Sequence, residues 1–385
     1  MRVLVLNPGS SSLKSSVLEV PAAPAPAAPV PAPLAQIDVD WGTDATAGSD
    51  PGGDIRALVA RYEAAGIAAA SLGAVGYRVV HGGAEFREPT LVTPEVIARV
   101  SELRELAPLH NGVAAATMTA GLAAIPDLVH VAVFDTAFHA TLAEEAYRYP
   151  VPDRWFTDWG VRRFGFHGMS VEWSAEMAAQ LLRRPAAELR LVVAHLGSGC
   201  SVTAVDGGRS VSTSMGMTPL EGLMMGTRAG SIDPGILFYL LRTGRRDSGE
   251  LAEQLDHESG LLGVSGRTSD VRELLRAEAS GDAPAALALQ LFCRRAAECI
   301  ASAATALPRL DAIVFTGGIG ENAAGLRARI AARLSAIGVA PISDESVTHD
   351  VVLSESAVTP AILRIEARED VVVARAAARV AATQR

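Results

Sequence analysis

Lysine is almost missing from this 385-residue chain: of its 34 basic residues, only Lys14 is not an arginine. Cysteine is scarce as well. Cys200, Cys293 and Cys299 show no C-x-x-C spacing, which excludes a disulfide framework and a cysteine-rich zinc site. No apolar run reaches the roughly eighteen residues of a membrane span, and the opening "VLVL" is too short for a leader core. The expected location is therefore the reducing cytoplasm, with no membrane partner. The eight histidines include no H-E-x-x-H pattern, and the chain has no G-x-x-x-x-G-K-[ST] loop. Acidic residues outnumber basic ones by 43 to 34, and the net charge of −9 argues against a general nucleic-acid binder. Any anionic ligand must be met by local positive groups.

What is present points to a folded chain of two domains, with 49% hydrophobic residues and a length beyond one ordinary core. "RVLVLNPGSSSLKSSVLEV" reads as strand, Gly/Ser turn and strand, and "LAQIDVDWG" as a third strand. Between them lies "PAAPAPAAPVPAP", six prolines and six alanines, expected as an extended exposed loop. "IRALVARYEAAG" and "TPEVIARVSELRELAPLHN" have helical spacing, whereas "GAVGYRVVHGG" and "LVHVAVFDTAFH" are buried strands running into polar residues. After about residue 150 the pattern restarts: "LRLVVAHLGSGCSVTAVDGGRSV" is again a Gly/Ser-turn hairpin, with a second hairpin at "DGG". "LDAIVFTGGIGEN" is a buried strand opening into a glycine turn and helix, and "EDVVVARAAARVAAT" is a helix. An α/β layered fold of two duplicated halves around a cleft is expected.

Three glycine turns follow buried strands: "NPGSSS", "HLGSG" and "GGIGEN". Each alone is an ordinary turn; together they suggest a split nucleotide site, because glycine lets backbone N–H groups approach an anion. Arg78 and Arg228 interrupt apolar or glycine-rich segments, and each forms either a structural ion pair or a bidentate clamp on phosphate or carboxylate. Asp135 ends a buried strand, as a ligand-facing acid or a cap for the next turn. His110 and His167 lie in turn-like contexts, either as satisfied structure or as stabilisers of transferring charge. Glu366, Glu369 and Asp370 are acids at a helix start, where a magnesium contact is the sharper alternative.

In order along residues 3 to 375, "LVLNPGSSSLKSS", "YRVVHGG", "LAPLHN", "VFDTAFH", "RRFGFHGMS", "HLGSG", "VSTSMGMTPLEGLMMGTR", "SGLLGVSGRTSDVREL", "DAIVFTGGIGEN" and "ARED" resemble the acetate kinase family. The resemblance implies two duplicated actin-like, ribonuclease H-like domains flanking an active-site cleft, here 1–136 joined by 371–385, and 137–370. It also implies a homodimer and reversible phosphoryl transfer from ATP to acetate, giving acetyl phosphate and ADP, with Mg²⁺ or alternatively Mn²⁺. Position by position, it marks Asn7 and Glu369 for the metal, and Asp135, Arg78, Arg228, His167 and His110 for catalysis. Arg78 also serves the substrate, with Val80, Leu109, Phe166 and Pro219 as an apolar pocket for the methyl group. Ser10, Ser12, Lys14, His195, Gly197, Ser198, Gly199, Asp270, Arg272, Gly318, Ile319, Gly320 and Asn322 match the nucleotide side. In such a reaction cationic clamps and in-line positioning do most of the work, and no covalent nucleophile is required.

Several positions depart from the family pattern. Ser198 replaces an asparagine in "HLGNG", exchanging an amide for a shorter hydroxyl with a single donor. Ala229 and Ser231 alter "GTRSGDIDP", Met169 and Val171 alter "GFHGTSH", and Tyr77 and Gly112 replace the usual histidine and proline. A kinase for propionate or another short acid, or one using another phosphoryl donor, is the alternative within the class. A nucleotide-binding module without catalysis is the alternative outside it, and would have no use for "RVVHGG", "DTAFH" and "GFHG".

Overall fold

The computed structural model describes residues 1–9, 12–21, 30–41, 51–107, 110–355 and 359–384. Ser10, Leu109 and positions 22–29 of the proline-alanine segment lie outside the described residues. Two compact units make up the chain: Met1–Ala140 with Phe166–Met169 and Arg368–Arg385, and Thr141–Gly165 with Ser170–Ala367.

In the first unit, β1 (Arg2–Pro8), β2 (Ser12–Glu19) and β3 (Ala35–Asp40) form an antiparallel ribbon. β4 (Ala74–Val79), β5 (Thr90–Leu91) and β6 (Val129–Phe134) extend it in the order β3-β2-β1-β4-β6-β5, with β1, β4 and β6 parallel. The parallel strands are covered on both faces, so they read as nearly continuous apolar runs. Alternation then sorts their residues. Leu4, Leu6, Val75, Tyr77, Val79, Ala132 and Phe134 join a core with Ile55, Leu58 and Met118 of the helices Pro51–Ala64 and Asn111–Ala124. The intervening Val3, Val5, Gly76, Val131 and Val133 belong to the opposite face, which the C-terminal helix Glu369–Thr383 covers. A Cβ on Gly76 would lie 2.6 Å from Val373 Cγ1, so glycine lets that helix sit directly on β4.

The second unit repeats this plan. β7 (Arg190–Leu196), β8 (Cys200–Asp206) and β9 (Arg209–Thr213) are an antiparallel ribbon, joined by β10 (Ala312–Thr316), β11 (Val351–Val352) and β12 (Ala361–Arg364) in the order β11-β12-β10-β7-β8-β9. As in the first sheet, the opening strand and the two that follow the ribbon on its other side are parallel. Between β8 and β9, Gly207 (φ 57°) and Gly208 (φ 82°) supply the two positive φ angles of a type I′ turn, which explains the "DGG" signal. The long helix Ala283–Ala304, capped by Asp282, buries Leu289, Phe292 and Ile300.

Candidate active site

Asn7, Arg78 and Asp135 occupy the C-terminal ends of the parallel strands β1, β4 and β6, where open α/β sheets place ligand-binding groups. Strand parity puts all three on the face of the C-terminal helix. The result is a cluster centred on one guanidinium. Arg78 Nε donates to Asp135 Oδ1 at 3.2 Å and Nη2 to Oδ2 at 2.7 Å, while Nη1 donates to Asn7 Oδ1 at 3.2 Å. Glu369, in the first turn of the C-terminal helix, brings Oε2 to 3.4 Å from the same Nη1. Burial works against the Arg78 charge, but Asp135 and Glu369 more than offset it, and the net shift favours the guanidinium. Lys14 pairs with Asn7 across β1 and β2, so its exposed side chain rises from the same face.

The chain after β6 organises a second set of groups. The Gly168 N–H donates to the Asp135 carbonyl at 2.9 Å, and His139 Nε2 lies 3.0 Å from the Phe166 carbonyl oxygen. Between these two contacts sits His167, whose φ of 58° is left-handed. Such a conformation costs a non-glycine residue about 1 kcal/mol or more, which the surrounding contacts must hold. Burial pushes the pKa of His139 down to about 4, with the Phe166 carbonyl acting in the other direction, so the ring is neutral near pH 7. Phe166 is buried with its ring edge-on to His81, the centroids 5.3 Å apart. His81 is itself tied down: its N–H donates to Asn111 Oδ1 at 3.1 Å and its carbonyl accepts from Asn111 Nδ2 at 2.8 Å. His110 precedes Asn111 at the start of the helix Asn111–Ala124, and half-buried Val80 precedes His81.

In the second unit, the turns after β7 and β10 lie side by side because those strands are parallel neighbours, with His195 opposite Thr316. A Cβ on Gly317 (φ 76°) would come within 2.8 Å of the Leu196 carbonyl oxygen and 3.1 Å of His195 Nε2, whereas one on Gly318 would meet nothing within 4 Å. Gly318, Ile319, Gly320 and Asn322 form a single helical turn, Gly317–Asn322, whose last carbonyls are capped by buried Arg327. His195 Nδ1 is 2.8 Å from Ser170 Oγ. The Gly197 N–H closes its turn on the Gly199 carbonyl at 3.1 Å, and the Ser198 carbonyl accepts from the Gly226 N–H at 3.3 Å, bringing the loop that carries Arg228 against this turn. Arg228 Nη1 donates to the Pro219 carbonyl at 3.3 Å, and Nε is 3.9 Å from Asp256. Burial lowers the Arg228 pKa and Asp256 only partly compensates. Asp270 caps the helix Val271–Ala279 and pairs with exposed Arg272, and these contacts hold its carboxyl down at about 2.

The oxygens of Asn7 and Glu369 both converge on Arg78 Nη1. Two hard oxygens suit Mg²⁺, which takes few protein ligands and fills its shell with water and phosphate. Among the described residues, no group of three or more His, Cys, Asp and Glu is assembled for a metal.

The model of the acetokinase family matches residues 2–375. The chain belongs to that family. It is a kinase, and so a transferase. An acetate kinase of Deinococcus radiodurans is 48% identical over 88% of the chain and 87% of its own length, and one of Synechococcus is 43% identical over 98% of each. The structure is also similar to Porphyromonas gingivalis acetate kinase, at 33% identity, TM-score 0.85 and 98% of both chains. A propionate kinase of Francisella tularensis is equally similar, at 33% identity and TM-score 0.86 over 97% of this chain and 98% of its own.

For an acetokinase family member, the residues marked in the sequence separate by unit. Asn7, Ser12, Lys14, Arg78, Val80, His110, Asp135, Phe166, His167 and Glu369 lie in the first, and His195, Gly197, Ser198, Gly199, Pro219, Arg228, Asp270, Arg272 and Gly318 to Asn322 in the second. Asn7, Arg78, Asp135 and Glu369 are joined directly, and Phe166 and His167 through the Asp135–His139 segment. Asp270 and Arg272 meet each other. The sequence reading did not single out His81, Asn111, Thr136 or His139, which hold this geometry; Thr136 Oγ1 accepts from the Gly82 N–H at 3.0 Å. Their signal was a polar residue inside or just after an apolar run, which alone does not say what it binds.

Proposed function

We propose that this protein transfers the γ-phosphoryl group of ATP reversibly to acetate, giving acetyl phosphate and ADP. An acetate oxygen bonds to phosphorus as the bond from phosphorus to the ADP oxygen breaks. The observation that carries the reading is Arg78, held at the sheet edge by Asp135, Asn7 and Glu369 and so oriented before any anion arrives. Arg78 and Arg228 are assigned as the cationic clamps, His167 and His110 to the transferring charge, and Val80, Leu109, Phe166 and Pro219 to the methyl group. Asp135 orients Arg78 and the substrate. Ser12 and Lys14 with Ser10, the turn His195–Gly199, Asp270, Arg272 and Gly318 to Asn322 serve the nucleotide. Mg²⁺, or Mn²⁺, held through Asn7 and Glu369 would neutralise phosphate charge.

Trapping of acyl phosphate as a hydroxamate, with Mg²⁺, ATP and acetate, tests this directly; no hydroxamate at any acetate concentration would overturn it. Likeness to a propionate kinase is the ground for the alternative, a preference for a longer acid. The kcat/KM values for acetate, propionate and butyrate decide, since one methylene is worth about 1–3 kcal/mol in an apolar pocket.

We also propose a cytoplasmic homodimer. The helix Gly235–Arg242 buries none of its residues in this chain, and Ile232, Ile236, Phe238, Tyr239, Leu241 and Leu287 are exposed. A second copy covering that face would remove it from water. Light scattering of the parent and of Phe238→Asp tests this, with a dimer and a monomer expected; a monomeric parent would refute it.

A further inference from the structure

The segment from Asp135 to His139 grips the chain on both sides of His167. Asp135 accepts the Gly168 N–H at 2.9 Å on one side, and His139 Nε2 meets the Phe166 carbonyl at 3.0 Å on the other. A carbonyl can only accept, so Nε2 carries the ring proton. His139 is 1% exposed, and its own N–H is fixed to the Thr136 carbonyl at 3.1 Å. Gly168 admits no side chain: a Cβ there would lie 2.2 Å from the Asp135 carbonyl oxygen and 2.8 Å from Phe138 Cβ. Between these two fixed peptides His167 holds φ 58°. The same Asp135 binds Arg78 through its carboxylate, so one short segment sets the orientation of both Arg78 and His167.

We propose that His139 is a positioning residue: by donating from Nε2 to the Phe166 carbonyl it holds His167 in the left-handed conformation that the transfer step requires. His139 touches no substrate and acts through the backbone. The inference rests on the acetate kinase reading above, in which His167 faces the transferring group. Left-handed backbone at a histidine persists only where neighbouring contacts over-determine it. Loss of one of the two contacts frees the peptide to rotate, and displacement of a reacting group by about 1 Å costs on the order of 100-fold in rate.

Two substitutions separate donation from packing. His139→Met keeps the bulk and removes the donor, and His139→Gln keeps an N–H donor. The expected result is a fall in kcat of roughly 100-fold in His139→Met with the ATP KM nearly unchanged, and recovery of most of it in His139→Gln. Equal loss in both variants, or no loss in a folded His139→Met, would overturn the proposal. Selective ¹⁵N labelling of histidine reads the clamp without catalysis. In the unsubstituted protein His139 should show the Nε2–H tautomer, and the His167 ring resonances should move in His139→Met but not in His139→Gln. An Nδ1–H tautomer would refute the clamp even if His139→Met failed to fold. Absence of acyl phosphate from the unsubstituted protein would instead remove the kinase reading and leave the spectroscopic result to judge the clamp.

Discussion

Both oxygens of the Asp135 carboxylate meet a single guanidinium, that of Arg78, at 3.2 and 2.7 Å. Asp135 is 1% exposed, so the pair is largely withdrawn from water on the acid's side. Replacing Asp135 leaves Arg78 the more distant Glu369, 3.4 Å from Nη1, as its counter-ion. Asp135→Asn should lower the unfolding free energy measured in urea by about 3 kcal/mol, the usual loss on breaking a buried pair. Acyl-phosphate formation should fall together with it, because Arg78 loses its orientation. Unchanged stability and rate would show that the pair neither supports the fold nor prepares the site.

On the opposite face of the same strands, Tyr77 Oη lies 2.6 Å from His130 Nδ1 and the rings stack at 5.7 Å. Both residues are buried, and Gly121 makes room, since a Cβ there would be 1.9 Å from Tyr77 Oη. Tyr77→Phe should cost about 1–2 kcal/mol by leaving a buried ring nitrogen without this partner. Because Tyr77 points away from Arg78, kcat should stay within about twofold of the parent, as expected for a change remote from such features. A loss of activity without loss of stability would contradict this separation of faces.

His139 gives the fold an acid sensitivity of known sign. A histidine of the unfolded chain titrates near 6.5, whereas burial holds native His139 down at about 4. As pH falls from about 6.5 towards 4, the unfolded chain takes up a proton that the native state resists, so stability declines. The contribution is complete above 6.5 and is on the order of 3 kcal/mol over the whole interval. Urea midpoints measured from pH 7 to 4.5 should fall more steeply for the parent than for His139→Gln. Parallel profiles would mean that native His139 charges as readily as a free histidine.

Ser198 is exposed at the tip of its turn, where its backbone carbonyl accepts from the Gly226 N–H at 3.3 Å. Restoring the family's amide by Ser198→Asn should therefore leave the melting temperature within about 1 °C, since surface changes usually lie within ±0.5 kcal/mol. The ATP KM should fall severalfold through the added donor, a gain of about 1 kcal/mol. If KM is unaltered, position 198 does not touch the phosphoryl donor.

Much of the architecture was legible in the sequence. "RVLVLN", "AVGYRV" and "VHVAVFD" were readable as buried strands running into polar residues, but nearly continuous apolar runs do not say which residues share a face; that Asn7, Arg78 and Asp135 belong together follows from the parallel pairing of the strands. The paired glycines after Asp206 announced a hairpin by their backbone freedom. Contacts between segments distant in sequence left no local pattern. That His139 reaches the Phe166 carbonyl, or that Asn111 grips both polar groups of the His81 peptide, follows only from the fold. The left-handed backbone at His167 was equally hidden, because histidine gives no compositional sign of positive φ as glycine does. Phe166–Met169 belong to the first unit although the chain before and after them belongs to the second.

The helix Glu369–Thr383, pressed against β4 through Gly76, also sets the order of events during synthesis. Val3, Val5, Val131 and Val133 leave the ribosome long before the helix that covers them. Until that helix arrives, one face of the first sheet is open apolar surface, a hazard for aggregation in a nascent chain. Glu369 arrives with the same helix, so the Arg78 cluster is completed only when the first unit is closed.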